Sequence, residues 1–481
     1  MKRLCDKSMK FEDCELAILR HAVDENEQVQ GKKIVDSEDV KKIIEIVETF
    51  LIKKKRICYG GTAINNILPK YDQFYNRDLE IPDYDFFSKT ALEDAKELAD
   101  IYYDNGFLEV EAKSGVHHGT FKVFVNFIPV ADITYLEKEI YDSIYKEAIS
   151  RAGIKYAPPN FLRMSMYLEL SRPEGDISRW EKILKRLTLL NKNYPLKSEV
   201  NCETIDFQRD FEKPYSLDDR ESIYFLVRDT LIEQGCIFFG GYASSLYSKY
   251  MTKLRKNIIQ KIPDFDVLYE DPEKCAIIVE ERLKENGFKY VKIVHHKEIG
   301  EIIPERMQVL VGNETIAFIY KPIACHSYNK ININKKEVNV ATIDTMLSFY
   351  LAFIYSNIPY FNKERILCMA EFLFDVEQQN RLNQVGLLKR FTIDCYGKQK
   401  KIEDIRAEKT SKFKELFEKR GSREYEMWFL KYTPSNGKEK TSDTKLQSTK
   451  TMKKPRKKQK KQNKQNKQKT QKIRFMNIFR K

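Results

Sequence analysis

Apolar side chains recur along this chain in two patterns. From Val40 to Leu51 they return at every third or fourth position, which predicts an amphipathic helix. Residues 92–107, LEDAKELADIYYDNGF, show the same spacing and end at Asn-Gly, a favourable helix C-cap. Short apolar runs at 56–59 and 236–239 predict strands. Strands and helices mixed at this spacing predict an α+β fold in which helices pack on mixed sheets.

The second half of the chain repeats the first. ICYGGTA at 57–63 matches IFFGGYA at 237–243, IPDYDFF at 81–87 matches IPDFDVL at 262–268, and Asn-Gly-Phe at 105–107 recurs at 286–288. The first glycine motif and the first aspartate of Asp-x-Asp lie 23 residues apart in one copy (Gly60 to Asp83) and 24 in the other (Gly240 to Asp264). Ordered matches at nearly constant spacing predict two tandem, homologous domains.

The repeat divides the chain into four predicted segments. We expect an N-terminal extension at 1–34, a catalytic domain at 35–200, a second, degenerate domain at 201–435, and a lysine-rich tail at 436–481. Each domain continues beyond its strands into helical patterns, which predict helical modules.

Positive charge is concentrated in the tail. The net charge is +14, but residues 437–481 hold 18 Lys/Arg against two acidic residues and so carry +16, which leaves −2 for the rest of the chain. Because Lys, Gln and Asn repeats cannot build a core, we expect this tail to be disordered. It would attract phosphates without reading base sequence. A solubilising or nuclear-import tail is the alternative.

The cysteine pattern and hydropathy indicate the compartment. Nine cysteines stand singly, without a CxxC pair or zinc-like spacing, which predicts ordinary reduced thiols in a reducing compartment. No apolar run approaches the length of a membrane span, and the N-terminus turns acidic before a signal-like stretch can develop. We therefore expect a protein that is neither secreted nor membrane-spanning.

Three aspartates form the candidate chemical centre. Asp83 and Asp85 are two residues apart, so in a strand their carboxylates project to the same face. Asp132 lies in the apolar segment VADITYL, where an acid is costly without a partner or a metal. Hard oxygen ligands in this arrangement suit Mg²⁺ held together with substrate phosphates. The three acids therefore predict a two-metal site.

A glycine pair completes this site. Gly60 and Gly61 lie between a predicted strand and a predicted helix, where backbone N–H groups can approach an anion closely. Thr62 follows, and its hydroxyl either donates to a phosphate oxygen or caps the helix. A triphosphate at this turn would face the three acids across a cleft.

The second copy lacks the third acid. It keeps Gly240, Gly241, Asp264 and Asp266, but aligning the repeats puts Ala317 where the first copy has its third aspartate, and Glu314 is reached only by sliding the alignment. Two-metal chemistry should fail without that ligand. We expect a scaffold or RNA-binding role here, with a residual nucleotide site as the alternative.

A basic helix face and a histidine pair are further candidates. If a helix begins near Asp176, then Arg179, Lys182 and Arg186 share one face and could bind triphosphate or RNA backbone. A solvated helix face is the alternative for these charges. The adjacent histidines at 117–118 have no other metal ligands near them in sequence, so we expect them to be structural or surface residues.

The motifs together resemble one family. YGGTAINNILP, IPDYDFFS, VADITYL and SRPEGDISRWEKILKRLTLLNKNYP are similar to motifs in the catalytic subunit of poly(A) polymerases of large cytoplasmic DNA viruses, of the giant-virus and asfarvirus kind and more distantly of poxviruses. These enzymes form part of the polymerase-β-type nucleotidyltransferase superfamily. The resemblance covers roughly residues 35–430 and leaves out the tail.

The resemblance implies tandem nucleotidyltransferase domains, two Mg²⁺ or Mn²⁺ ions, ATP as donor and an RNA 3′ hydroxyl as acceptor. By position, Asp83 and Asp85 would bind the metals that bridge the triphosphate, and Asp132 would hold the metal that activates the attacking oxygen. Gly60, Gly61 and Thr62 would face the β- and γ-phosphates. Catalysis would then be mainly positioning and charge neutralisation.

The resemblance also implies partners and a location. Relatives suggest either a homodimer, which we favour, or a separate processivity subunit. The place of action would be the cytoplasm, in viral factories, with packaging in the virion as a further expectation. Two alternatives stay open: a nucleotidyltransferase whose acceptor is not mRNA, and a catalytically silent RNA-binding module. Retention of three mutually repelling carboxylates argues against the silent module.

Overall fold

A computed structural model describes residues 4–6, 8–205, 217–259 and 264–435. The described residues up to Pro434 form one compact unit. Within these ranges, every helix is too short or too polar to cross a lipid bilayer. The predicted disordered tail at 436–481 lies outside the described residues.

The first sheet is mixed and has eight strands. They are β1 (Ile57–Cys58), β2 (Tyr84–Ser88), β3 (Val110–Ser114), β4 (Thr120–Val125), β5 (Ile128–Tyr135), β6 (Ile149–Arg151), β7 (Ile154–Tyr156) and, from the far end of the described chain, β16 (Lys431–Tyr432). Their order is β16-β3-β4-β5-β2-β1-β7-β6. At the centre β2 runs parallel to β5, whereas β4 is antiparallel to β5.

Seven helices accompany this sheet. They are α1 (Phe11–Val35), α2 (Glu38–Lys54), α3 (Gly60–Ile67), α4 (Ala91–Asp104), α5 (Lys138–Glu147), α6 (Pro159–Leu170) and α7 (Trp180–Asn193). Helices α2 and α4 bury the apolar faces that their sequence periods predict. Helix α1 differs, because none of its residues is buried.

The second sheet repeats the plan of the first. Its strands are β8 (Ile237–Phe239), β9 (Phe265–Leu268), β10 (Val291–His296), β11 (Arg306–Val311), β12 (Glu314–Tyr320), β13 (His326–Ile333), β14 (Lys336–Ala341) and β15 (Cys395–Tyr396). The order is β10-β11-β12-β9-β8-β14-β13-β15, so that β9 and β12 occupy the places of β2 and β5 and are again parallel.

Eight helices belong to the second half of the described chain. They are α8 (Leu217–Glu233), α9 (Gly240–Tyr247), α10 (Lys253–Ile259), α11 (Pro272–Glu285), α12 (Ile343–Phe353), α13 (Lys363–Gln379), α14 (Ile402–Leu416) and α15 (Arg423–Phe429). Every residue of α12 is buried, since this helix packs against both α6 and α13. The predicted α+β class with two similar mixed sheets is confirmed, whereas the predicted domain boundaries remain a proposal.

The two halves contact each other at several places, including the packed helices α6 and α12 and the edge strand β3. The backbone N–H of Ser327 donates to the carbonyl of Ser171 at 2.8 Å, beside the packed helices α6 and α12. At the opposite edge of the first sheet, β16 pairs with β3, with Tyr432 opposite Ala112. The last described strand of the chain thus completes the sheet of the first half.

The cysteines correct the prediction of ordinary reduced thiols. Three disulfides join Cys5 to Cys14, Cys202 to Cys368 and Cys325 to Cys395, whereas Cys58, Cys236 and Cys275 are free and buried. Two of the bonded pairs are 166 and 70 residues apart, so only the tertiary fold brings them together. Short-range spacing could not detect them, and the thiols give no argument for a reducing compartment.

Candidate active site

The glycine pair forms the turn from β1 into α3. Gly60 has a φ of +73°, a left-handed value that glycine adopts without strain. A Cβ at Gly60 would lie 2.5 Å from Oδ2 of Asp85. The absence of a side chain therefore lets the Asp85 carboxylate pack directly against the turn.

The three candidate acids lie on neighbouring strands. Asp85 and Asp132 are direct partners across the parallel pair β2 and β5, and Asp83 immediately precedes β2. Burial, together with the charges of Asp83 and Asp132, raises the pKa of Asp85 to about 7. Burial and the Asp132 charge also raise the pKa of Asp83. The carboxylates are thus close enough to repel one another, and repelling hard-oxygen ligands fit a divalent cation.

A lysine that the sequence did not single out neutralises one of these acids. Lys122 lies opposite Asp132 on β4, and its ammonium group contacts the Asp132 carboxylate. Asp83 and Asp85 line a cavity, and Asp132 is not among the residues that line it. Among the described residues, oxygens of all three acids do not come within 4.8 Å of one another. A cation bound by all three acids would therefore require their carboxylates to approach one another.

Thr62 connects the helix to the acids. Its side chain is buried, and its hydroxyl donates to the carbonyl of Asp83 at 2.6 Å. The helix-capping alternative is wrong, because α3 begins at Gly60 with Tyr59 at the N-cap and no side-chain cap bond. The observed bond instead fixes the start of α3 against the strand that carries Asp83 and Asp85.

The predicted basic face reaches the same cavity. A 3₁₀ turn at Ile177–Arg179 leads into α7, and Asp176 accepts a bond from the backbone N–H of Ser178 at its start. Three cations, Arg179, Lys182 and Arg186, line a cavity of about 700 Å³ together with the glycine pair, Asp83 and Asp85. Nη1 of Arg179 lies 3.6 Å from Glu169, so that cation is balanced by a neighbouring acid.

The cavity is also lined by residues that we did not predict to line it. They include His117 and His118, together with Gly300, Glu301 and Ile302 from the second half of the chain. The ring centroid of His118 lies 4.3 Å from that of Trp428 in α15. The histidine pair looked structural from the sequence because no local motif shows that a distant loop and helix converge on it.

The second copy keeps the same glycine and aspartate contact. Gly240 has a φ of +71°, and a Cβ there would collide with the Asp266 carboxylate. Because the contact persists at a site with no third acid, we propose that it has a folding role.

Strand register corrects the position that lacks the third acid. Asp266 faces Phe318 across β9 and β12, whereas Ala317 faces Phe265. The sequence alignment of the repeats was therefore shifted by one residue here, and Phe318 takes the position of the third acid. Gln308 faces Phe318 on β11, at the place that Lys122 holds opposite Asp132 in the first copy.

Tyrosine hydroxyls donate hydrogen bonds to both acids of the second copy. The hydroxyl of Tyr360 donates to Asp264 at 2.8 Å, and that of Tyr320 donates to Asp266 at 3.3 Å. The ring of Tyr360 also packs edge-on against Phe318, with centroids 4.6 Å apart. Gln308 and Phe318 thus stand where the first copy has a lysine and a third carboxylate, and tyrosine hydroxyls bond the two acids that remain.

Comparisons with known proteins agree with this geometry. A family model described as the poly(A) polymerase catalytic subunit matches residues 45–176. A putative poly(A) polymerase catalytic subunit of African swine fever virus is 33% identical over 193 residues, which are 39% of this chain and 40% of that protein. One from Acanthamoeba polyphaga mimivirus is 29% identical over 273 residues, covering 53% of this chain and 45% of that protein.

The chain resembles viral poly(A) polymerase catalytic subunits. This confirms the resemblance that the motifs indicate, although the matched region spans less than half the length of these curated relatives. The fold also matches the crystal structure of the Megavirus polyadenylate synthase, with a TM-score of 0.74 at 21% identity, over 89% of this chain and 87% of that one. The tandem architecture is therefore a known one.

Proposed function

We propose that this chain is a template-independent adenylyltransferase that adds AMP from ATP to the 3′ end of RNA. The observation that carries the proposal is the pairing of Asp85 with Asp132 on parallel strands, with Asp83 two residues from Asp85 and the Gly60 turn in contact with the Asp85 carboxylate. Similarity to viral poly(A) polymerase catalytic subunits over residues 45–176 supports the same reaction.

In this reaction the RNA 3′ oxygen attacks the α-phosphorus of ATP, and the bond to the β-phosphate breaks with release of pyrophosphate. Asp83, Asp85 and Asp132 would hold two Mg²⁺ or Mn²⁺ ions, which supply charge neutralisation and activation of the hydroxyl when bound. Gly60 and Gly61 would present backbone N–H groups to the β- and γ-phosphates at the start of α3.

The basic residues would act on the same substrate. Arg179, Lys182 and Arg186 line the cavity with the acids, so they are placed to offset the charge of bound phosphates. For the second copy we propose a scaffold role, supported by the tyrosine hydroxyls that bond Asp264 and Asp266. We further propose mRNA as acceptor, a homodimer rather than a separate processivity subunit, and action in cytoplasmic viral factories or the virion.

Primer extension tests the proposal. The full chain is incubated with a labelled RNA primer, Mg²⁺ or Mn²⁺, and each nucleoside triphosphate in turn. We expect ATP-selective extension that Asp83→Ala or Asp132→Ala abolishes, whereas the matched variant Asp264→Ala in the second copy retains it. Equal use of all four nucleotides would reject polyadenylation, and no incorporation with any acceptor would favour the silent RNA-binding module.

A further inference from the structure

A loop beside the glycine turn is held in place by hydrogen bonds to a side chain of α3. This loop, residues 70–77, follows α3 and includes Phe74 and Tyr75. The buried side chain of Asn65 accepts hydrogen bonds from the backbone N–H groups of Phe74 and Tyr75 at 2.8 and 2.9 Å. One amide oxygen in α3 therefore fixes the backbone at both aromatic residues.

The same loop is also fastened to α7. Asp72 accepts from Nζ of Lys192 at 2.9 Å and from Nδ2 of Asn193 at 2.8 Å. Two contacts near the end of α7 thus hold this helix at a fixed distance from the 70–77 loop.

Arg186 reaches from α7 to the same loop, six residues before Lys192. Its Nη2 donates to the hydroxyl of Tyr75 at 2.6 Å. The guanidinium carbon lies 4.9 Å from the ring centroid of Phe74 and 5.5 Å from that of Tyr75, within the range of a cation–π contact. The arginine is therefore held by one hydrogen bond and two aromatic faces.

The Tyr75 hydroxyl and the Arg186 guanidinium lie directly against Gly61, the second glycine of the turn. A Cβ at Gly61 would be 2.5 Å from the hydroxyl oxygen of Tyr75 and 3.0 Å from Nη1 of Arg186. Gly61 is thus the point at which the start of α3, the phenol and the guanidinium meet. A guanidinium has five N–H donors in a planar fork that suits phosphate oxygens, and Tyr75 accepts from only one nitrogen.

We propose that Tyr75 is a positioning residue that holds Arg186 over the glycine turn so that Arg186 binds the β- and γ-phosphates of a nucleoside triphosphate. This inference rests on the proposed function in taking the cavity as a nucleotide site, and it assigns Arg186 to triphosphate rather than to RNA backbone. Arg186 touches the ligand, and Tyr75 acts through Arg186.

Equilibrium binding of ATP, AMP and tripolyphosphate to the full chain tests the proposal without RNA. Tyr75→Phe keeps the ring beneath Arg186 and removes only the hydroxyl. We expect it to weaken ATP and tripolyphosphate binding about tenfold, the effect of losing one hydrogen bond to a charged group, and to leave AMP binding unchanged. Tyr71→Phe is the matched control, because Tyr71 lies in the same loop but its side chain is exposed.

A double-mutant cycle separates positioning from independent binding. Arg186→Met should weaken ATP binding more than Tyr75→Phe does, and the double variant should bind no more weakly than Arg186→Met alone. Additive losses, an equal loss of AMP binding, or weakened RNA binding with unchanged ATP binding would overturn the proposal. If ATP binding responds as expected but primer extension never occurs, the inference stands and polyadenylation fails.

Discussion

At the scale of single residues, the charge balance of the candidate active site depends on Lys122. Burial, together with repulsion from Asp83 and Asp132, raises the pKa of Asp85 to about 7. The Lys122 ammonium contacts Asp132 and so offsets part of that repulsion. The Lys122 ammonium thus supplies positive charge directly beside the acids.

Replacing Lys122 with methionine should therefore destabilise the metal-free protein. We expect a loss of about 1 kcal/mol at pH 8, because the acids lose their neighbouring cation, and added Mg²⁺ should restore most of it. Thermal melts with chelator and with Mg²⁺ measure both effects. Lys89→Met is the control, because Lys89 is about as exposed as Lys122 and pairs with the more exposed Asp142. An equal Mg²⁺ response in both variants would contradict the prediction.

The glycines give a second prediction at this scale. Gly60→Ala and Gly240→Ala each place a Cβ against an aspartate at a positive φ, so both should lower the free energy of unfolding by about 2 kcal/mol or more. Gly106→Ala has a φ of +95° but nothing within 4 Å, and it should show only the smaller backbone cost. Denaturant titration measures all three variants. A Gly240→Ala variant as stable as the parent would remove the folding role assigned to that contact.

A buried histidine predicts how stability depends on pH. His326 on β13 is fully buried with neither ring nitrogen hydrogen-bonded, and burial, aided by the charge of Arg172, lowers its pKa to about 3. An unfolded histidine binds a proton below about pH 6.5, so stability should fall as pH drops below that value, by about 1 kcal/mol between pH 6.5 and 5.5.

His326→Phe should remove this pH dependence even if it changes stability at pH 7.5. Melts at pH 7.5 and 5.5 compare the variant with the parent and with His295→Phe, whose histidine is exposed. If His326→Phe and the parent lose stability in parallel, another group is responsible for the acid sensitivity.

At the scale of secondary-structure elements, the repeat and the hydrophobic patterns predicted the duplication, the strands before the glycine pairs, the strands that carry the aspartates, and helices α2 and α4. The spacing of Asp83, Asp85 and Asp132 placed three acids on neighbouring strands, as β2 and β5 have them. These features are local, since strand alternation and helix period are properties of consecutive residues.

Long-range contacts were not predictable in the same way. Lys122 looks like one polar position in an alternating strand until register sets it opposite Asp132. Tyr75 gains its contact only when α7 packs beside its loop, 111 residues later in the chain. A one-residue error likewise put Ala317 in place of Phe318, because a single sequence fixes the pattern of a strand but not its register.

At the scale of the whole molecule, the tail and the last strand should have separable roles. A chain that ends at Pro434 loses only residues outside the compact unit. It should bind RNA more weakly at low salt and keep its single-turnover rate and its Tm, because the lost lysines contribute salt-sensitive phosphate attraction. Salt-dependent binding and rapid-quench kinetics measure the two effects.

A chain that ends at Leu430 should behave differently. It also lacks β16, whose Tyr432 hydroxyl donates to Asp100 at 2.6 Å, and so leaves the edge of β3 unpaired. We expect it to be less stable than the Pro434 chain by about 2 kcal/mol. Equal melting temperatures for the two truncations would show that the strand contributes nothing to the first sheet.

The position of β16 also has a consequence for synthesis of the protein. A ribosome must translate past Tyr432, and the exit tunnel must release that segment, before the amino-terminal sheet can receive its outermost strand. Early-terminated products would therefore carry every candidate ligand yet display an open sheet edge, which invites misassembly with other nascent chains.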